Sequence, residues 1–199
     1  MEIVDKCINA LTKPVETFKK EKKKANLMEG IKLILIGSFI AGIFGGISSY
    51  INLSSLNAQM GGISSAMLVG VFIGNLILNP IFAIIFSLIL GGMIFIMAKL
   101  LGGKGEFGVH FGLMALVMAP MFLLSNALNI VPFVGGILSI LVTLYVLYPL
   151  TISVKEAYGL DTVKAVVSWL VPVVILIVTM VVFAAIIAVL IGAAMYTGA

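Results

Sequence analysis

From residue 33 onward, apolar residues run in long stretches divided by short polar intervals. No formal charge occurs in the 66 residues between Lys32 and Lys99, or in the 35 after Lys164. Another 48 uncharged residues separate Glu106 from Lys155, interrupted only by His110. Each gap exceeds the roughly 20 apolar residues with which a helix crosses a bilayer. Leu33 to about Ile51 forms a first span, and the Ser/Asn/Gly-rich stretch Asn52 to Ser65 reads as a loop. The next 36 apolar residues, Ala66 to Leu101, would make one helix of about 54 Å. That is too long for an upright crossing of a core about 30 Å thick. Asn79–Pro80 offers the break, because proline pushes the preceding residue out of the α region. The pattern therefore predicts an outer half-helix, Ala66 to Leu78, re-entrant or surface-lying, and a second span from Pro80 to Leu101.

A third span runs from Phe107 to about Leu124, a tight turn covers Asn126 to Gly136, and Ile137 to Ser153 returns as the fourth. The polar segment Val154 to Ala165 precedes a fifth span from about Pro172 to Ala194. Trp169 and Tyr196 mark its two water boundaries, where amphipathic rings prefer to lie.

Composition agrees with this all-α, polytopic reading. The chain is 62% hydrophobic and 10% charged, against about 25% charge in a soluble domain. A membrane β-barrel is excluded because its strands would alternate apolar and polar residues. The 12 basic residues are all lysine, and 13 of the 20 charges fall within residues 1–32. Five spans place every lysine on one side, as the positive-inside rule requires; a sixth would carry Lys99, Lys104, Lys155 and Lys164 across. The expected topology is a multi-pass cell-membrane protein with a cytoplasmic N-terminus and an outer C-terminus. It divides into a lysine-rich head, residues 1–31, and a five-span domain, residues 32–199. The net charge of +4 reads as an orientation signal rather than a nucleic-acid footprint, since no aromatic residues interleave the lysines. Cys7 is the single cysteine, which excludes an internal disulfide and a cysteine metal cluster.

Within the head, Ile3, Val4, Cys7, Ile8 and Leu11 fall on one face of a short helix that ends near Pro14. That face packs on the protein itself, on the membrane surface or on a partner. Lys19, Lys20, Lys22, Lys23 and Lys24 follow. This run is either a solvated topology signal or a contact for anionic headgroups or a partner, each charge adding about 1 kcal/mol near an anionic surface. Glu106 and His110, four apart, read as a hydrogen-bonded pair at a helix start. A metal pair is disfavoured, because zinc needs three or four ligands and no second histidine exists. Asn75, Asn79, Asn126 and Asn129 cluster toward the outer side. They line a polar path or, as such residues ordinarily do, bond between helices or cap them. No Asp, Glu, Lys or Arg lies in the body of a span, and no nucleophile–base pair or phosphate loop is visible. An enzyme is not expected, and no cofactor is called for. The partners left are the lipid bilayer, a cytoplasmic protein and a second copy of the chain.

The segments PVETF (Pro14 to Phe18), LLGGKGEF (Leu100 to Phe107), IVPFVGGIL (Ile130 to Leu138), LYVLYPL (Leu144 to Leu150) and Lys155 to Ala165 together resemble the YIP-domain family, the Ypt/Rab-interacting membrane proteins. LLGGKGEF (Leu100 to Phe107) looks like the family's Gly-Gly-Lys-Gly turn, and IVPFVGGIL (Ile130 to Leu138) resembles its short outer turn. LYVLYPL (Leu144 to Leu150) is similar to its aromatic fourth span, Lys155 to Ala165 to its inner loop, and PVETF (Pro14 to Phe18) to its lead-in. The resemblance implies five spans and, in eukaryotic relatives, interaction with prenylated Rab-type GTPases in membrane traffic. The Asp-Leu-Tyr-Gly-Pro motif of those relatives is missing. The compact, lysine-only chain looks more like prokaryotic, archaeal-type members. The resulting expectation is a non-enzymatic protein that organises the membrane or recruits partners through its basic face. The alternative is a channel or facilitator for a small solute.

Overall fold

The computed structural model describes residues 2–131 and 134–196. Among these residues all regular structure is helical: α1 (Glu2–Thr12), α2 (Pro14–Glu21), α3 (Leu27–Met60), α4 (Ser65–Leu100), α5 (Phe107–Leu128), α6 (Val134–Tyr158) and α7 (Thr162–Tyr196). Local chemistry sets the ends. Asn26 Oδ1 accepts the Glu29 N–H at 3.0 Å and opens α3; Asp161 Oδ1 accepts the Lys164 N–H at 2.9 Å and opens α7. Gly61, at φ 71°, closes α3 in a backbone region that L side chains rarely adopt. Helices α3 to α7 are the five long and apolar enough to cross a membrane.

The helices are longer than the hydrophobic pattern implied. The expected half-helix Ala66–Leu78 is not a separate element, because α4 continues through Pro80 to Leu100. One missing N–H costs about 3 kcal/mol, whereas a true break in an apolar medium strands several backbone groups at several kcal/mol each. Continuing the helix is cheaper. Likewise the loop expected over Asn52–Ser65 narrows to residues 61–64. Asn52 Nδ2 donates to the Ser48 carbonyl (2.9 Å) and the Ser55 hydroxyl to that of Ile51 (2.9 Å), so these polar residues sit within α3 up to Met60. Helix α7 begins ten residues before Pro172, which lies inside it. The turn expected over Asn126–Gly136 narrows to residues between Leu128 and Val134, and its Pro132 and Phe133 lie outside the described residues. The Tyr196 side chain lies outside them too. Trp169 is buried, its indole N–H donating to Thr151 Oγ1 at 2.8 Å, instead of marking a water boundary.

Helix α5 is the axis of the bundle. His110 to Ala119 are buried on every side, by α3, α4, α6 and the head. Close approach fixes the register. A methyl group added at Gly30 would lie 2.6 Å from the Phe111 ring, and one at Gly91 would lie 3.2 Å from it. Gly30, Phe111 and Gly91 therefore stand at one level. Gly37 packs on Ala119 and Gly42 on the Asn75 carbonyl in the same way. Small residues at such crossings let backbones approach, which is how helices associate without a hydrophobic drive between them. Packing weakens away from this axis: from Ile177 to Leu190 every residue of α7 is exposed.

Candidate interaction site at the lysine-bearing end

All formal charges of the described chain gather at one end of the bundle, and short bonds tie its connections together. The Lys104 N–H donates to the Tyr158 carbonyl at 3.0 Å, and the Gly103 N–H to the Ala98 carbonyl at 2.8 Å. Across the α6–α7 turn, Lys155 Nζ donates to Thr162 Oγ1 at 3.0 Å. The Gly-Gly-Lys-Gly sequence is what this geometry needs. A side chain at Gly105 would overlap the Ala157 carbonyl, and one at Gly103 would lie 2.9 Å from Tyr158 Cβ.

The head is built into this end. Ala10 and Phe18 have no exposed surface. The Tyr145 hydroxyl of α6 donates to the Leu11 carbonyl at 2.8 Å, and Lys22 Nζ donates to the Glu156 carbonyl at 2.5 Å. Lys6 and Glu21 pair at 3.4 Å. The expected apolar face of α1 divides: Cys7 and Leu11 pack against the core, while Ile3, Val4 and Ile8 stay about half exposed. Lys19, Lys20, Lys23 and Lys24 are exposed, and Lys22 spends its ammonium on α6. Phe18 was not legible as an anchor, because it sits between Glu16–Thr17 and Lys19–Lys20 with no apolar periodicity around it.

Docking has a chemical signature at Cys7, whose thiol is pushed above its ordinary pKa by burial. The thiolate is the reactive form, so a raised pKa means less of it near neutral pH. Maleimide labelling of Cys7 is expected to be slow at pH 7–8 and to quicken by about tenfold per pH unit. Phe18→Ala, by releasing the head, should speed it at constant pH; equal rates in both chains would show that Cys7 is not held by docking.

Glu106 and His110 do not form the expected side-chain pair. Glu106 is exposed, whereas His110 is fully buried, its ring packed on that of Tyr158 at 5.1 Å between centroids and tilted by 40°. Neither imidazole nitrogen has a hydrogen-bond partner among the described residues, nor does the Tyr158 hydroxyl. The turn of helix between residues 106 and 110 aligns their backbones (His110 N–H to Glu106 carbonyl, 3.1 Å), but aromatic packing draws the imidazole inward. Among the described residues no three His, Cys, Asp or Glu side chains converge as a metal site would require.

The family model for the Yip1 domain matches residues 8–185, from the head into the last span. The chain belongs to the Yip1 domain family. No curated protein and no solved structure gives a significant match. The Yip1 match runs from the second half of α1 through most of α7, so it takes in most of the head as well as the bundle, and the chain is a multi-pass membrane protein.

At the opposite end of this Yip1 domain, three of the four asparagines meet. Asn75, Asn79 and Asn126 line an open groove of about 1090 Å³ between α4 and α5. Asn75 Nδ2 donates to the Val71 carbonyl (2.9 Å) and Asn126 Nδ2 to that of Phe122 (2.9 Å), which turns their amide oxygens toward Gly45. A methyl group there would lie 2.7 Å from Asn126 Oδ1 and 3.1 Å from Asn75 Oδ1. Asn129 is elsewhere: it caps α5, and its carbonyl accepts from Ser48 Oγ at 2.7 Å.

Proposed function

We propose that this Yip1 domain protein is a non-enzymatic membrane organiser that recruits partners or gathers lipid at a basic cytoplasmic face. The observation that carries the reading is the segregation of charge. Every lysine lies in the head, in the α4–α5 connection (Lys104), or at the ends of α3, α4, α6 and α7 on the same side of the bundle. Positive-inside bias assigns that end to the cytoplasm of the cell membrane, which leaves the C-terminus outside. Exposed Lys19, Lys20, Lys23 and Lys24 then offer headgroup or partner contacts, while the docked Phe18 holds them in place.

Topology is checked first. In a Cys7-free chain, an impermeant thiol reagent is expected to reach a cysteine at position 59 from outside and one at 104 only from inside. Function is checked by copurification: a cytoplasmic partner should be lost when residues 1–29 are removed. Retention of every bound protein by the headless chain would sink the recruiting role.

The groove at Asn75, Asn79 and Asn126 favours a second reading, a facilitator for a small solute. Solute-specific uptake into reconstituted liposomes, abolished by Asn79→Ala or Asn126→Leu, would support it over the first.

A further inference from the structure

A cavity of about 380 Å³ lies where the head meets α3 and α5, within the range of small-ligand sites. Its walls have two chemistries. On one side stand Lys6, Glu21, Glu29, Lys32 and Lys24. Both acids are already engaged, Glu21 with Lys6 at 3.4 Å and Glu29 with Lys32 at 3.0 Å. Lys24 has no anionic partner among the described residues, so the cavity keeps an uncompensated positive charge. On the other side stand Leu33, Ile36 and Leu116, and Leu33 is where the 66-residue uncharged stretch begins. The cavity therefore straddles the line between charged and apolar chain. At its floor Gly112 lets the α2–α3 connection close onto α5, since a methyl group there would meet the Asn26 backbone at 2.9 Å.

An occupant that satisfies both walls is amphipathic and anionic. A free phosphate would meet the lysines and leave the apolar wall bare; a neutral lipid would leave Lys24 uncompensated. We propose that this cavity binds the phosphodiester headgroup of an anionic membrane lipid, its hydrocarbon chain lying along Leu33, Ile36 and Leu116. The lipid then joins α1, the α2–α3 connection and the bundle. This deepens the lipid-gathering side of the proposed function and rests on the lysine-bearing end facing lipid headgroups. It is independent of whether a protein partner binds there.

The test uses the full chain in mild detergent, titrated with short-chain phosphatidylglycerol or with phosphatidylcholine of the same chains. Bound lipid is counted by intact-complex mass spectrometry. Phosphatidylglycerol is expected to be retained in preference, and Lys24→Gln to lower its occupancy about fivefold, with Lys24→Arg restoring it. Lys24 is exposed and its ammonium is unpaired among the described residues, so the fold should survive; unchanged emission from Trp169, the only tryptophan, checks that. Lys19→Gln and Lys23→Gln, outside the cavity, should change retention little. Equal loss in those controls would mean diffuse attraction and overturn the site. Equal retention of the two lipids would overturn it as well. Glycerophosphate, a headgroup without chains, should not displace the lipid at matching concentration; full displacement would identify a soluble phosphate site instead.

Discussion

Gly105→Val is expected to loosen the whole lysine-bearing end, lowering stability by about 2–4 kcal/mol, the sum of overpacking and one lost backbone bond. A side chain at 105 points into the Ala157 carbonyl and lies 3.0 Å from the Tyr158 ring. The obstacle is backbone, which cannot rotate aside as a flexible side chain would. The last turn of α6 has to move, and with it go the Lys104–Tyr158 bond of 3.0 Å and the Tyr158–His110 ring contact. Trp169 reports the change, since its indole is anchored to Thr151 on α6. Unfolding in detergent, followed by that emission, should show the lower midpoint. Gly92→Ala is the control, because nothing lies within 4 Å of a methyl group there, and alanine suits a helix better than glycine by about 1 kcal/mol. Matching midpoints for the two variants would remove steric contact as the reason for the Gly-Gly-Lys-Gly turn.

Phe111→Ala should cost about 3–5 kcal/mol. The ring is fully buried and fills the space left by Gly30 on α3 and Gly91 on α4. It also meets Phe107 at 5.7 Å between centroids. Transfer from water contributes little among membrane helices, so the loss is one of dispersion contacts at a three-helix junction. A cycle separates this from a general weakening of α5. Phe111→Leu shortens the ring, and Gly91→Ala then supplies a methyl group beside it. If the three helices meet through this residue, the double variant should recover part of what Phe111→Leu loses. Strict additivity would show that Gly91 and Phe111 do not share the space.

The five long helices were legible because an uncharged, apolar stretch longer than a bilayer crossing has almost no stable place in water. Their ends were not. Asn52 and Ser55 look like loop residues until their side chains are seen bonding back to α3 carbonyls, and Pro80 looks like a break until the backbone cost of breaking is weighed. The lysine run was visible, but its place in the molecule was not. Docking depends on Phe18, Tyr145 and Glu156, the latter two each 134 positions from the head residue they bond, and no periodicity joins them. The amphipathic cavity is the clearest case. It takes Glu21 and Lys24 from the run but Lys6, Glu29 and Lys32 from outside it, a set that only the packing of the head onto the bundle brings together. Of the four asparagines, Asn75, Asn79 and Asn126 line one groove, and Asn129 is separated by its role as a cap.

The bond between Tyr145 and Leu11 joins residues 134 positions apart, and that distance is also a delay. A ribosome adding about 5–20 residues per second makes Leu11 roughly 7–27 s before the Tyr145 that receives it. Through that interval Phe18 has no pocket, and residues 1–26 face whatever meets a nascent chain. The newborn protein therefore presents an apolar anchor that the mature one conceals. Chains stalled before and after Tyr145 emerges should differ in the rate at which Cys7 takes up a thiol reagent, fast in the shorter and slow in the longer. Equal rates would mean that the head finds its seat by another route.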